Sequence, residues 1–538
     1  MSGHADTLLA AIEHQRAARL PQAEALYCAV LDAEPDHPHA LYLCGLLYLS
    51  AGRAGAAAPL LERAARARPA HQGAWLALAR ARIALGEARG ALAAADAALA
   101  AGGGDGPAEA HFLRGTALNA LGAPPEALAA LSRAVALDPG MAAAHLNRAN
   151  ALADLDRLAE SEAACREALR LDPGLVEAHA SLGFILTGLG RLAEAIAACE
   201  DAIALSPEFA HAHWNLATAA LLSGDFARGF REYEWRKRHD DFRRNFLDLP
   251  GPVWDGGDCA GRRVLVMAEQ GLGDTIQLAR FLPRIAARGA TVCLACDPCL
   301  LPLLGALPGV AQAVPRHGAL PRYDFWIDQM SLPRAFGIGP GTLPNAGGYI
   351  AADPARAAAW GRRLPEGRRA GIVWAGNPDH SNDRRRSMPP GDAGALLARL
   401  REAAPGTHFV SLQHGPRAAE AAALGLEDHA AVLTDYAETA GLVANLDVVI
   451  AVDTSVAHLA GAMGHPVWVM LPFAPDWRWI LGRDDTPWYA SMRLFRQTAP
   501  GGWADVIERV AAALRCRGPL PPSASREGRG CGGIRIFT

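Results

Sequence analysis

A fixed spacing of prolines is the feature that most constrains the fold of this chain. Prolines stand at positions 35, 69, 139, 173 and 207, and the intervals between them are 34, 70, 34 and 34 residues. The interval of 70 is two periods of 34 with two extra residues, which fall in the glycine-rich run 102–107, where a longer turn fits. This period predicts a stack of helical hairpins, because each hairpin buries its apolar face only against its neighbours.

Small residues recur where the two helices of each unit must cross closely. These residues are Gly45, Gly115, Ala149 and Gly183 in the first helix, and Ala57, Ala127 and Ala195 in the second. Together with the period, they resemble the tetratricopeptide repeat over residues 4–236, as six full units and a degenerate seventh that ends in FREYEWRKR. The resemblance implies an α-solenoid whose concave groove binds a partner, although scaffolding and dimerisation are equally compatible with it.

The pattern changes after the repeats. Short apolar runs alternate with helical stretches from residue 262 onward, which favours parallel sheets flanked by helices. The predicted strands are 264–268, 291–295, 325–328, 371–374, 408–412, 448–452 and 467–471. A segment rich in Gly and Pro divides them into two sets, which predicts two Rossmann-like lobes facing a cleft. The predicted boundaries are 4–236 for the repeats, 237–261 for a connector, 262–352 and 368–515 for the lobes, and 516–538 for a disordered tail.

Composition narrows the possible functions. The net charge of -4 lacks the basic excess that nucleic-acid binding needs. We expect a cytoplasmic protein without an integral membrane segment, because no leader pattern and no run of about 18 apolar residues occurs. Cys293, Cys296 and Cys299 have a spacing that metal sites use, but a matching fourth ligand is missing, so buried apolar cysteines are the better interpretation.

A carboxylate follows the first strand of the first lobe, in the stretch AEQGLGDTIQL. Gly271 and Gly273 allow a tight turn, and Asp274 starts the next helix. A dinucleotide-binding fingerprint, with Asp297 as the ribose ligand, is disfavoured because Ile276 stands at the third glycine position. Asp274 is therefore either a helix N-cap or a general base facing the cleft.

A second polar turn follows the strand 448–452, in AVDTSVAHLAGAMG. A helix that starts at Thr454 or Ser455 directs free N–H groups and its positive dipole end at the edge of the sheet, which favours binding of a phosphate. Asp453 ends the strand, and His458 lies one turn into the helix. His458 is either part of this site or a hydrogen-bonded histidine of the core.

These two motifs resemble those of the heptosyltransferase-like family of GT-B glycosyltransferases. DTSVAHLAGAMGHPVWVML is similar to the family's Asp-Thr-Gly-x-x-His-x-Ala signature, and QGLGDTIQLARFLP to its N-terminal Gly-Asp motif. The resemblance implies that Asp274 is the catalytic base, with Gly273 beside it. It also implies that the turn Asp453, Thr454 and Ser455 binds the donor diphosphate, with Ser455 replacing the family's glycine.

The loop WAGNPDHSNDRRRSMP lies between the two motifs. The resemblance implies that a basic residue of this loop binds the leaving diphosphate, for which Arg386 is favoured over Arg385. We expect Asn377 and Gln413, at the ends of neighbouring strands, to contact the donor as well. No Asp-x-Asp pair occurs after residue 240, so we expect no metal and no cofactor.

The leading hypothesis is a metal-independent inverting glycosyltransferase, with a nucleotide sugar as donor and a protein or glycan acceptor chosen with help from the repeat groove. The layout also resembles that of protein O-linked N-acetylglucosamine transferases, although the motifs do not. The alternative is a repeat scaffold that carries an inactive or nucleotide-sensing GT-B module. The first lobe is shorter than the second, which disfavours a lipopolysaccharide-core acceptor.

Overall fold

The computed structural model describes residues 4–516 except 244, 340, 345, 346 and 381, and only the backbone of 240 and 241. The chain forms two compact units, Met1–Asn215 and Leu216–Thr538. Of the predicted disordered tail, 516–538, Cys516 is the last residue of a helix, and residues 517–538 lie outside the described residues. In the part of the chain that is described, no helix is both long and apolar enough to cross a membrane.

The first unit is helical, and its helices pair along the chain. The helices of the repeats are α1 (Ala5–Arg16), α2 (Leu20–Ala33), α3 (Pro38–Ser50), α4 (Ala54–Ala67), α5 (Gln72–Ala84), α6 (Ala88–Gly102), α7 (Ala108–Ala120), α8 (Pro124–Leu137), α9 (Ala142–Asp154), α10 (Leu158–Leu171), α11 (Val176–Gly188), α12 (Leu192–Leu205), α13 (Ala210–Ser223) and α14 (Phe226–Glu232). Helices α1–α12 form six hairpins. A Cβ placed on Gly229 of the short α14 would lie 2.5 Å from Leu221 of α13, which fits the predicted degenerate seventh.

Glycines allow the two helices of a hairpin to cross closely, as the repeat pattern predicts. A Cβ placed on Gly45 would lie 2.6 Å from Leu61, and one on Gly115 would lie 2.5 Å from Leu131. In both hairpins the glycine and the leucine are sixteen residues apart. Any larger side chain would therefore push the helices apart.

A ring six residues after the repeat proline holds the turn before the next hairpin. The ring nitrogen contacts the proline carbonyl oxygen in the pairs Trp75–Pro69 at 2.9 Å, His145–Pro139 at 3.1 Å, His179–Pro173 at 3.0 Å and His213–Pro207 at 2.9 Å. Since a carbonyl oxygen only accepts hydrogen bonds, each histidine carries its proton on Nε2. The same contact thus recurs with the period of the repeats.

The second unit contains two parallel sheets. Its strands are β1 (Arg263–Met267), β2 (Thr291–Cys296), β3 (Val310–Pro315), β4 (Phe325–Asp328), β5 (Arg369–Val373), β6 (His408–Ser411), β7 (Val448–Val452), β8 (Val467–Leu471) and β9 (Met492–Arg496). The order in the first sheet is β3-β2-β1-β4, and in the second it is β6-β5-β7-β8-β9. All the strand pairs within both sheets are parallel. The predicted α/β class of this half is therefore confirmed.

Helices connect these strands. They are α15 (Asp240–Arg243), α16 (Leu272–Leu278), α17 (Leu282–Ala286), α18 (Leu301–Leu304), α19 (Leu332–Ala335), α20 (Pro354–Arg363), α21 (Asp383–Arg386), α22 (Pro390–Ala403), α23 (Tyr436–Val443), α24 (Ser455–Ala462) and α25 (Trp503–Cys516). The second sheet packs its buried residues, such as Ile372 and Ile450, against α22 and α25. Because the strands of each sheet are parallel, their carboxyl ends lie at one edge of that sheet, which is where α/β proteins place their sites.

The division between the compact units differs from the predicted end of the repeats at residue 236. It falls inside α13, between residues 215 and 216, so α14 and the following 3-10 helix, Tyr233–Arg238, belong to the second unit. Phe230 packs edge-on against Trp477, with ring centroids 5.7 Å apart. Residues 226–238 are therefore part of the α/β unit, although their sequence continues the repeats.

Candidate functional site

The turn after β7 carries a buried hydroxyl at the start of a helix. Thr454 is the N-cap of α24, with an extended backbone at φ -143° and ψ 165°. Its side chain is only 8% exposed, and among the described residues its hydroxyl oxygen has no hydrogen-bond partner. A buried hydroxyl without a partner is costly. Beside the free N–H groups of a helix N-terminus, it is a ready donor for an anion.

Asp453 precedes this turn and is buried. Burial, followed by the charge of Asp476, raises the pKa of Asp453 to about 6. The positive charges of Arg386 and Arg478 act in the opposite direction on the same carboxyl group. Both arginines therefore act electrostatically on the carboxyl group that precedes this turn.

His458 lies one turn further along α24 and is also buried. Its Nδ1 shares a hydrogen bond of 2.9 Å with the hydroxyl of Tyr489, and its ring stacks on Trp479 with centroids 5.4 Å apart. Burial, followed by the charge of Arg478, holds the pKa of His458 well below its usual range. His458 is therefore a neutral, packed histidine, and the geometry favours the core interpretation of this residue.

The Gly-Asp motif packs directly on α24. A Cβ placed on Gly273 would lie 2.8 Å from Cδ2 of His458 and 3.4 Å from Cα of Ser455. The backbone of Gly273 therefore approaches a helix of the second sheet. The hydroxyl of Ser455 is hydrogen-bonded to that of Tyr436. The structure thus places the two sequence motifs side by side.

Asp274 is the third residue of α16, and both of its carboxylate oxygens accept hydrogen bonds. Gly271 is the N-cap, and its N–H donates to Oδ2 of Asp274 over 2.9 Å. The other oxygen, Oδ1, accepts from the guanidinium of Arg478. Asp274 is therefore not the N-cap itself, but its carboxylate accepts the N–H of the N-cap residue from the third helical position. The side chain is still 22% exposed, so the carboxylate is accessible.

Arg478 is a residue of this site that no sequence motif indicated. Its side chain is 7% exposed, and it bonds Gln277 through Nε and Asp476 through Nη1, both over 2.7 Å, besides its bond to Asp274. It lies in the loop after β8, a neighbour of β7. In the sequence, only the position of Arg478 after a strand could have indicated this role, because the loops after neighbouring parallel strands meet at one edge of the sheet.

The arginine loop lies near the same edge. The guanidinium of Arg386 lies over the backbone of Gly376, and its Nε is 3.4 Å from Asp383. Arg385 is half-buried, and Asn377 is exposed and accepts a bond of 3.2 Å from the N–H of Asp379. Of these predicted residues, Arg386 is the one whose charge acts on Asp453.

Gln413 has a structural role. Its Oε1 accepts from the N–H groups of Trp374 and Ala375 over 3.1 and 3.0 Å. Its Nε2 donates to the carbonyls of Ala375 and His414 over 2.9 and 3.0 Å. The amide is buried and has all of its usual partners, so the geometry does not favour the predicted contact with a donor.

A buried ion pair joins the segment after α14 to the residues that precede the Gly-Asp motif. Arg236 is fully buried and bonds Glu269 and Ser331, each over 2.9 Å. Burial raises the pKa of Glu269 to about 7. The hydroxyl of Tyr233 donates to the side chain of Gln270 over 3.1 Å. This segment thus supports the loop that carries the Gly-Asp motif.

The three closely spaced cysteines are a separate feature. Cys293 and Cys296 are buried in β2, and burial raises the pKa of Cys296 to about 12. Burial also raises the pKa of Cys299 to about 12. Among the described residues, no group of His, Cys, Asp and Glu side chains is arranged to hold a metal ion.

Comparison with known proteins assigns the repeats. The family model described as tetratricopeptide repeat matches residues 8–71, 76–142, 124–176 and 185–234. The helical hairpins of the N-terminal part of the chain thus match the tetratricopeptide repeat. The chain is also 30% identical over 328 residues to the protein FlbA of Caulobacter vibrioides, in a match that covers 56% of this chain and 54% of FlbA. It thus spans about half the length of that relative.

Solved structures are similar to part of the chain. One is YrrB, described as a TPR protein with an unusual peptide-binding site, which is 20% identical, with 35% of this chain and 95% of YrrB covered and a TM-score of 0.29. Another is a tetratricopeptide repeat protein from Parabacteroides merdae, which is 17% identical. The match covers 43% of this chain and 91% of that protein, with a TM-score of 0.37.

Proposed function

We propose that the second unit is a metal-independent inverting glycosyltransferase of the GT-B type, which moves a sugar from a nucleotide-diphosphate donor to an acceptor hydroxyl. One observation carries this proposal. The unpartnered, buried hydroxyl belongs to Thr454, the N-cap residue of α24, and the next residue, Ser455, lies against the segment that carries the accessible carboxylate Asp274. An anion site beside an accessible carboxylate is the arrangement that sugar transfer from a phosphate requires.

The donor diphosphate binds at the N-terminus of α24. There the helix offers free N–H groups and the positive end of its dipole, and Thr454 adds a hydroxyl donor. The guanidinium of Arg386 supplies positive charge beside the same turn. These groups stabilise the charge that develops on the leaving diphosphate. The sequence supports independence of a metal because it lacks an Asp-x-Asp pair after residue 240.

Asp274 is the general base of the reaction. Its carboxylate accepts the proton of the acceptor hydroxyl while that oxygen forms a bond to the anomeric carbon of the sugar. The bond from this carbon to the phosphate oxygen breaks, and its electron pair leaves with the nucleoside diphosphate. The tetratricopeptide repeats help to select the acceptor, a protein or a glycan, because solenoid grooves bind extended partners.

The binding half of this proposal is tested by isothermal titration of the full chain with nucleoside diphosphates. We expect one of them to bind, and Thr454→Val to weaken that binding about 10-fold, since a hydrogen bond to a charged group contributes about 1.5–3 kcal/mol. Thr407→Val is the matched control, because Thr407 precedes β6 at the opposite edge of the same sheet. Equal affinity of the two variants would contradict the assigned phosphate site.

A second candidate function is a repeat scaffold with an inactive or nucleotide-sensing α/β unit. The observation that favours it is the pairing of Asp274, whose two oxygens already accept from Gly271 and Arg478. A sensor of this kind would bind a nucleotide sugar and leave it intact. Release of nucleoside diphosphate from a bound nucleotide sugar therefore separates the two candidates.

A further inference from the structure

We propose that Arg478 binds Asp274 and the donor phosphate in alternation, so that donor binding frees an oxygen of Asp274 for catalysis. This inference rests on the proposed function of the same site. It assigns a catalytic role to a residue outside both sequence motifs. It also accounts for a general base whose oxygens are both occupied before the donor has bound.

The contacts of Arg478 place it between the two motifs. Nη2 donates to Asp274 and Nε to Gln277, and both acceptors belong to α16. Nη1 donates to Asp476 of its own loop. These bonds engage three of the five N–H groups of the guanidinium. The side chain is therefore a charged link between the loop after β8 and the Gly-Asp motif.

Arg478 is also close to the proposed phosphate site. The ring of Trp479, the next residue, stacks on that of His458 in α24 with centroids 5.4 Å apart, and the charge of Arg478 acts on the pKa of both His458 and Asp453. The loop that carries Asp274 touches Ser455 at the N-terminus of α24, as the close approach of Gly273 shows. An anion bound there is therefore within reach of the guanidinium that holds Asp274.

The aromatic packing keeps this guanidinium in place. Its carbon lies 4.1 Å from the ring centre of Trp477, a cation–π contact. Trp477 in turn packs against Phe230 and Tyr233, with ring centroids 5.7 and 6.0 Å apart. Because these rings restrain the side chain of Arg478, we expect an exchange of partners to require only a small movement of its guanidinium group.

The exchange follows from charge. A carboxylate oxygen that already accepts a hydrogen bond from a guanidinium has less capacity to accept one from an acceptor hydroxyl. A diphosphate carries more negative charge than a carboxylate and competes for the same N–H groups. Once Arg478 turns to the phosphate, Oδ1 of Asp274 is free to accept the proton of the acceptor hydroxyl, while the guanidinium stabilises the leaving diphosphate. Donor binding thus precedes activation of the acceptor.

Asp274→Asn should increase the affinity of the protein for diphosphates. The variant removes the charge that competes for Arg478, so nucleoside diphosphate and inorganic pyrophosphate should bind it about 10-fold more tightly than the parent. Titration calorimetry of the full chain with UDP, GDP, CDP, ADP, dTDP and pyrophosphate measures this. Asp485→Asn is the matched control, because Asp485 pairs with Arg483 on the surface of the same loop. Its affinity should equal that of the parent.

A double-mutant cycle assigns the effect to Arg478. In an Arg478→Gln background, binding should be weaker than in the parent, and Asp274→Asn should no longer tighten it. Asp476→Asn removes the other carboxylate from Arg478 and should also tighten binding. This second variant allows the same test if Asp274→Asn does not fold.

The outcomes separate the two proposals. If the parent binds a nucleoside diphosphate and neither asparagine variant binds it more tightly, the alternation of Arg478 is refuted and the proposed function stands. Tightening that persists in the Arg478→Gln background would refute it as well. If the parent binds none of the nucleoside diphosphates and no pyrophosphate, both proposals fail.

Discussion

Gly273→Ala is the variant that tests the contact between the two motifs. The added Cβ would lie 2.8 Å from the ring of His458 and 3.4 Å from Cα of Ser455. The ring has little freedom to move, because its Nδ1 is bonded to Tyr489 and its face stacks on Trp479. Forcing a methyl group into such a contact costs about 1–3 kcal/mol. For a unit of this size we expect a fall in Tm of about 2–10 °C.

The matched control is Gly391→Ala. Gly391 and Gly273 are each the second residue of a helix, α22 and α16 respectively, but a Cβ on Gly391 would meet nothing within 4 Å. Alanine should therefore leave the Tm unchanged or raise it slightly, since it is the better helix former. Differential scanning calorimetry of the full chain measures both variants. A Gly273→Ala protein as stable as Gly391→Ala would refute the close packing of the motifs.

Two further perturbations test the buried charges of this unit. Arg236→Met should destabilise it by about 3–5 kcal/mol, because it leaves Glu269 buried without its cation, and adding Glu269→Gln should recover most of the loss in thermal denaturation. His458→Phe should reduce the decrease in the free energy of unfolding as the pH falls. The native pKa of His458 lies below its unfolded value, so below a pH of about 6.5 the parent loses up to about 1.4 kcal/mol per pH unit from this residue.

Local patterns were sufficient to predict much of the fold. The proline period predicts six hairpins and a partial seventh, because each repeat is stabilised by contacts that recur with the sequence. The seven predicted strands are present with ends within two residues of the prediction, since each is a short apolar run. Strand β3 was missed because it is an edge strand with exposed residues, and β9 because two arginines interrupt its apolar residues.

The features that the sequence did not predict depend on contacts between distant segments. The division between the compact units inside α13 was not predicted, because Phe230 and Arg236 continue the repeat sequence but are buried against residues of the α/β unit. Arg478 belongs to no motif, and its role depends on Asp274, which is 204 residues away in the chain. For Asp274 itself, the sequence could not fix where the helix starts, and the structure places Asp274 at the third helical position rather than at the N-cap.

The central claim is that the α/β unit transfers sugars, and turnover of nucleotide sugars tests it most directly. The full chain is incubated with a panel of nucleotide-diphosphate sugars, and the released nucleoside diphosphate is quantified. We predict release from at least one donor, and a fall of about 100-fold or more in Asp274→Asn, since a well-placed general base contributes about 100- to 10,000-fold. A donor that binds and stays intact in the parent, or is turned over equally by both proteins, would contradict this account.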